Sequence, residues 1–443
     1  MRIAIVGAGI SGMTAAYRLL DAGHEVDIFE AADYVGGLAA GFSIKEAGGA
    51  RIEKYYHHIF LTDTSVRGLT EELGLTPKLH WLTSQMGYYH EGKVYPFGTP
   101  LQLLKFKPLP FLDRIWFGVQ ALYLGFKSNW KEYENITTYD WMKKYAGKNI
   151  LRVIWEPLLR SKFGSYFDKV AMAWFWARVH VRAQSRKGAV ERLGYYEGGF
   201  DTFCAGLAEA VKAKGGHIHL NTPVTKVVTE DGKFQGVEVG GQVEKFDRLV
   251  FAAATPIFLQ TCPSLPKEYV ERVSTLPYIG AQCLTLVMNK SLTPMYWLNI
   301  SDMEIPFLAL VEHTNFAPRE WYAGKHLLYI GNYLMPDHKL FNLSKEELLK
   351  VFIPHIQKIN PAFDASWVEE SYLFRDRWSQ PVVPLHYSDL KPDYETPVNG
   401  AYLANMSLIY PEDRGTNFAV DVGNKVAKLV DPKVQIPEFH EPK

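Results

Sequence analysis

The sequence predicts an α/β architecture, and three observations carry that reading. Arg2–Val6 is a short apolar run of the kind that forms a buried strand. Glycines at positions 7, 9 and 12 follow it directly, in GxGxxG spacing. A second apolar run, Glu25–Phe29, then closes on the acidic Glu30.

Each element has its own physical reason. Gly7 permits a tight turn out of the strand, Gly9 keeps a side chain out of the way of an approaching pyrophosphate, and Gly12 lets the helix pack closely on the strand. Ile10 and Ser11 lie where the helix begins, so their free N–H groups and the positive end of the helix dipole face a phosphate. Met13–Ala22 reads as the helix and Gly23 as its stop. Glu30 suits the hydroxyls of a ribose and repels a phosphate on it, so the site is expected to take a dinucleotide other than NADP. Strand, loop, helix and acid together make the opening βαβ unit of a Rossmann-like domain.

Helices are expected at Thr64–Leu73, at Leu112–Phe126 and across much of 138–182. The Phe111–Phe126 stretch reads as a buried or pocket-lining helix; a surface helix dipping into a membrane is the alternative, which keeps peripheral membrane contact open. Glu197–Phe200 is a turn, Asp201–Lys214 an amphipathic helix, and His217–Leu220, Val224–Thr229 and Gln235–Val239 are strands, with a hairpin at Asp231–Gly232. Arg248–Ala254 and Ala401–Ala404 are further strands, and Asn417–Val430 is the last helix. Residues 433–443 carry prolines and read as a loose tail.

The chain has 443 residues, enough for two domains. Its 48 basic and 48 acidic residues balance, so no nucleic-acid partner is expected. Cys204, Cys262 and Cys283 form no CxxC pair, which points away from zinc or a disulfide framework and towards a reducing compartment. No signal-peptide pattern opens the chain, and a cytoplasmic location is expected. No metal-site, nucleophile-elbow or P-loop motif occurs.

The joined pattern GAGISG…FEAADYVGG, with Gly36 and Gly37 after Glu30, resembles the start of the FAD-dependent amine oxidase, protoporphyrinogen oxidase and phytoene desaturase superfamily. Three later segments are similar to that superfamily as well: EGGF at 197–200 leading to TPVTKV at 222–227, FDRLVFAAATP at 246–256, and WSQPVVPLH at 378–386. The resemblance implies a discontinuous FAD-binding domain made of residues 1–62, 195–256 and 398–432, with a mixed α+β substrate domain inserted as 63–194 and 257–397. It implies FAD as cofactor, with Gly36 and Gly37 beside the pyrophosphate and Val224 at the adenine through its backbone. Two departures stand out. Leu38 replaces the usual arginine, and Asn405 stands where a carboxylate is usual, as a neutral group for the ribityl chain or phosphate. Gly415, Thr416 and Asn417 open the last helix and are expected at the flavin's N1–O2 edge, where a helix N-terminus would stabilise reduced flavin.

YHHIFLT at 56–62 is similar to a loop of UDP-galactopyranose mutases, which places His58 against the flavin ring. His57 and His58 are therefore candidate acid, base or ring-supporting groups, and Tyr410 and Arg414 are candidates just before the last helix. Arg160, Lys162, Arg178 and Arg182 form a candidate cationic wall for an anionic substrate. The expected function is an FAD-dependent oxidoreductase that moves a hydride from a C–H or C–N centre of a small organic substrate to flavin N5. A non-redox flavoenzyme of the mutase type is the alternative, and a flavin-binding protein without turnover the third reading.

Overall fold

The computed structural model describes residues 1–185 and 191–439. The fold is α/β. A five-stranded, fully parallel sheet lies at its centre, in the order Ala401–Leu403, Arg248–Phe251, Arg2–Val6, Glu25–Phe29, His217–His219. Its strands come from three distant stretches of the chain. Arg2–Val6 sits in the middle, buried on both faces, which explains why it reads as an unbroken apolar run rather than an alternating one.

The Ile10–Asp21, Phe200–Ala213 and Thr416–Val430 helices pack around this sheet. Gly423 and Gly12 allow close approaches: a Cβ on Gly423 would meet the Ser11 backbone at 2.6 Å, and one on Gly12 would collide with the Gly7 carbonyl oxygen. The Ser11 hydroxyl donates to the Ala404 carbonyl (2.6 Å), tying the first helix to the last strand.

A seven-stranded sheet forms the second body. Its order is Val368–Pro381, Tyr278–Met288, His326–Leu334, Ala309–Glu312, Trp297–Ile300, Met86–His90, Lys93–Pro96, antiparallel except between Trp297–Ile300 and Met86–His90. Against it stands a helical layer with its own aromatic core, from Phe111–Phe126 through Met172–Ser185. Leu79–Thr83 and Arg192–Tyr196 pair as a short ribbon between the two bodies.

Two expectations are refined. Of the buried or pocket-lining helix expected at Phe111–Phe126, the pocket-lining form holds, with Phe117, Ala121 and Leu124 in the lining of a cavity, but the helix is not buried: Leu112, Trp116, Leu122 and Phe126 stand exposed, the last at 84 %. The apolar residues on this helix run nearly all the way round, and only one edge finds a partner. Nor is the tail loose as far as it is described. Val434 is buried, Ile436 packs on the sheet domain's core, and the Arg67 guanidinium lies over the Phe439 ring at 4.8 Å. Residues 440–443 of the expected tail and 186–190 of the expected substrate domain lie outside the described residues. Among the described residues no helix is long and apolar enough to cross a membrane.

Candidate functional site

The glycine loop is shaped for a phosphate-bearing ligand. Gly7 has φ +106°, which only glycine adopts without strain, and its N–H bonds the Phe29 carbonyl (2.8 Å). Gly9 caps the first helix in extended conformation, with no side chain capping the free N–H groups of Ile10, Ser11 and Gly12. Nothing lies within 4 Å of where a Cβ on Gly9 would sit. That space is a cradle that a larger residue would fill. Gly36, with φ +102°, donates its N–H to the Ala8 carbonyl (2.8 Å), and Gly37 also has positive φ, so the second glycine pair is stitched to the first loop.

Glu30 accepts from the Ala8 N–H (2.8 Å) on one oxygen and from the Ala32 N–H (2.9 Å) on the other. Each oxygen keeps a further lone pair for a ribose hydroxyl. The Asn221 and Thr222 N–H groups bond to the Ala32 and Glu30 carbonyls (2.8 Å each), which brings the start of the Val224–Glu230 strand to the same end of the sheet. The donors and open space fit the adenosine and pyrophosphate of FAD.

A cavity of about 720 Å³ lies between the seven-stranded sheet and the helical layer, with Leu38 and the Gly415–Asn417 helix start also in its lining. Leu38, His57, His58, Arg414, Gly415, Thr416 and Asn417 all contribute to its lining, as do Lys162, Arg178 and Arg182. Gly415 caps the Thr416–Val430 helix without a side-chain cap, leaving N–H groups free there.

Several expected site residues are engaged elsewhere. The Asn405 amide donates to the Ala253 carbonyl (2.9 Å), and its oxygen accepts from the Ser407 N–H (3.1 Å) and the Thr255 hydroxyl (3.3 Å), so its side chain braces the turn after the last strand. The Asn417 oxygen accepts from the Ser65 N–H (2.9 Å) and the Val66 N–H (3.2 Å), capping the Thr64–Glu72 helix. Tyr410 does not line the cavity; its ring packs between Trp130 and Tyr387. Arg160 pairs with Glu156 (2.7 Å) and lies over Phe167, outside the cavity. The remaining three cations of the expected wall do face the cavity.

The histidine pair differs from the expectation of a group titrating near neutrality. Burial pushes the His57 imidazole down to about 4 and, with Arg182, His57 and Arg178 adding repulsion, His58 down to about 3. Both are neutral at physiological pH. His57 Nδ1 donates to the Tyr55 carbonyl (2.6 Å), while His58 stands edge-on to Phe60 with the Tyr296 hydroxyl 3.5 Å from its Nδ1.

Beneath this loop is a residue that periodicity did not single out. Glu53 is fully buried and accepts from the Tyr195 hydroxyl (2.7 Å), the Phe200 N–H (3.3 Å) and the His57 N–H (3.4 Å). Burial raises its carboxyl to about 7, against those hydrogen bonds. The raised value means the folded protein holds this proton more tightly than the unfolded chain. The stabilisation is complete below the unfolded value of 4.5 and is lost as pH rises through about 7. Glu53→Gln should therefore gain stability relative to the parent between pH 5 and pH 9, on the order of 3 kcal/mol. Thermal denaturation of both proteins across that range checks it; parallel curves would return Glu53 to the ordinary carboxyl range.

Asp413, also unremarked in the sequence, organises the polar cluster of the cavity lining. It pairs with Lys162 (3.2 Å) and Arg178 and accepts from the Trp174 indole N–H (3.0 Å). Burial would raise its carboxyl, but Lys162, Arg178 and Arg414 together hold it well below the usual range. Arg414 itself donates to Gln380 (3.0 Å) and to the Tyr333 hydroxyl (2.8 Å).

A strand–glycine-loop–helix cradle with an acid at the second strand, beside a cavity lined in part by a second helix N-terminus, is the arrangement of an FAD-binding fold. The chain belongs to the flavin-containing amine oxidoreductase family, whose model matches residues 10–430. FAD is its cofactor. The chain is 26 % identical over 300 residues to the 15-cis-phytoene desaturase of Solanum lycopersicum, covering 62 % of this chain and spanning half of that relative's length. Among solved structures it resembles a putative protoporphyrinogen oxidase from Exiguobacterium sp. 255-15 (TM-score 0.76, 17 % identity, 98 % of this chain and 99 % of that one). It also resembles a reduced UDP-galactopyranose mutase (TM-score 0.74, 13 % identity, 98 % and 94 %). At these identities the two structures speak for the shared fold alone.

Proposed function

We propose that the protein oxidises a small organic molecule at a C–H or C–N centre inside the described cavity. The observation that carries this is the meeting of Leu38, His58 and the uncapped Gly415–Asn417 helix start with a chamber walled largely by aromatic and aliphatic side chains. When bound, FAD supplies the two-electron acceptor, taking hydride at N5. Gly7, Gly9, Gly12, Gly36 and Gly37 would admit the pyrophosphate, Glu30 the ribose, and the Val224 backbone the adenine. The Thr416–Val430 helix start would stabilise negative charge at the cofactor's reduced edge. The neutral His58 would orient substrate or ring by contact rather than by gaining or losing a proton, and the apolar walls would keep water out.

The segments 1–62, 195–256 and 398–432 form the cofactor domain in this reading, and 63–194 with 257–397 the substrate domain. The exposed face of Phe111–Phe126 supports peripheral contact with a lipid surface, and the three buried, unpaired thiols are compatible with the cytoplasmic location expected from the sequence.

The test is redox stoichiometry with His58→Ala as companion. Product should form in equal amount to acceptor consumed, with no requirement for prior reduction. Turnover only after reduction by dithionite, without net oxidation, would replace this reading with a mutase. His58→Ala should alter the flavin absorption envelope and lower the rate by less than the roughly hundred-fold that a positioned acid or base supplies. The parent's pH–rate profile should show no limb near 6.5 that His58→Ala removes.

A further inference from the structure

The cavity lining carries two chemically opposite clusters. In one, Lys162 and Arg178 pair with Asp413, and Arg414 feels Asp413 and Asp376, so three cations face two carboxylates. Arg414 spends its hydrogen bonds on the neutral Gln380 and Tyr333. Asp63, the other acid in the lining, is raised to about 7 by burial and does little to balance the cations. Lys162 reports the excess: burial and repulsion from Arg178 and Arg414 bring its ammonium down to about 7 despite Asp413. A surplus of positive charge that is partly withdrawn from water, with Lys162 8 % and Arg178 33 % exposed, favours the arrival of an anion.

In the other cluster the walls are Phe97, Leu103, Phe117, Leu124, Trp155 and Phe175. Phe117 and Trp155 stack at 5.3 Å between ring centres. Leu122 both lines the cavity and is 63 % exposed, so the apolar lining reaches the outer face of the Phe111–Phe126 helix.

We propose that the cavity binds an amphiphile, with an anionic headgroup, carboxylate or phosphate, among Lys162, Arg178 and Arg414 and a long apolar chain between the Phe111–Phe126 and Met172–Ser185 helices. This rests on the reading of the cavity as the substrate site of an FAD enzyme, and it names the substrate class. Arg414 adjoins Gly415 in the chain, so the headgroup, rather than the far end of the tail, lies nearest the helix start assigned to the cofactor. One wall alone would suit a different ligand: cations alone a small anion, the aromatic chamber alone a neutral hydrocarbon. Their union in one cavity selects a molecule with both characters.

The test titrates the purified, FAD-loaded protein with twelve-carbon probes below their micelle concentrations, read by flavin absorbance and by calorimetry. Dodecyl phosphate and dodecanoate should bind at least about ten-fold more tightly than dodecanol, as expected for charge-assisted hydrogen bonds. Inorganic phosphate should bind far more weakly than dodecyl phosphate. Arg178→Gln should remove most of the anion preference while leaving dodecanol binding in place. Ala121→Trp, which alters the apolar wall away from the ion cluster, should weaken all twelve-carbon probes and spare inorganic phosphate. Equal affinity for dodecanol and the anions, tight binding of dodecyltrimethylammonium, or phosphate matching dodecyl phosphate would each overturn the proposal. FAD content measured in the same samples separates the two readings. A yellow protein with no preference for anionic amphiphiles loses this inference and keeps the oxidoreductase assignment; a protein that takes up no FAD loses both.

Discussion

Gly9→Val is expected to yield a colourless protein with the parent's far-UV circular dichroism. In the fold itself a Cβ at this position meets nothing within 4 Å, and the backbone is extended, so a side chain can be started here without backbone strain. What it fills is the space over the free N–H groups of the first helix, the place proposed above for the pyrophosphate. Gly12→Ala is the contrasting case. Its added carbon would collide with the Gly7 carbonyl oxygen and press on Ala252, so the expected result is misfolding or a large loss of thermal stability. Two glycines three residues apart should thus fail in different ways, one in binding and one in folding. FAD release, absorbance and a melting curve distinguish them. A yellow Gly9→Val protein with unchanged affinity would remove the loop from the cofactor site.

Asp413→Ala is expected to cost about 3–5 kcal/mol, because it strands buried cations rather than simply deleting a contact. Lys162 and Arg178 would face each other and Arg414 without a counter-charge. Adding Lys162→Met to Asp413→Ala should recover part of the loss, since the lysine is the cation that burial already drives towards neutrality. Urea denaturation of the two single variants and the double variant measures the coupling. Additive effects would show that the three cations do not sense one another through Asp413.

The cofactor half of the fold was legible in the sequence because its determinants are local. Gly7, Gly9, Gly12 and Glu30 lie within one βαβ unit, where spacing alone dictates geometry. The seven-stranded sheet was not legible. Its members join residues as far apart as Tyr89 and Ile300, and Tyr278–Met288 is buried along its entire length, so it lacks the alternation that announces a strand. The same limit hid Asp413 and Glu53. Each is a single acid in an unremarkable segment, and its importance arises from partners 142 to 251 residues away. Asn405 and Asn417 show the reverse case. A position expected beside the cofactor did not reveal that each side chain is occupied by backbone groups of another segment.

The order of strands in the parallel sheet also bears on how the protein is made. Arg2–Val6 and Glu25–Phe29 emerge from the ribosome first, but the neighbour on the other side of Arg2–Val6 begins at Arg248, and the strand beyond that at Ala401. At about 5–20 residues per second, the first strand waits roughly 12–48 s for that neighbour. Through that interval one edge of Arg2–Val6 is an unpaired apolar template, open to mispairing with another nascent chain. Slower translation ahead of Arg248 prolongs that exposure, and faster translation shortens it.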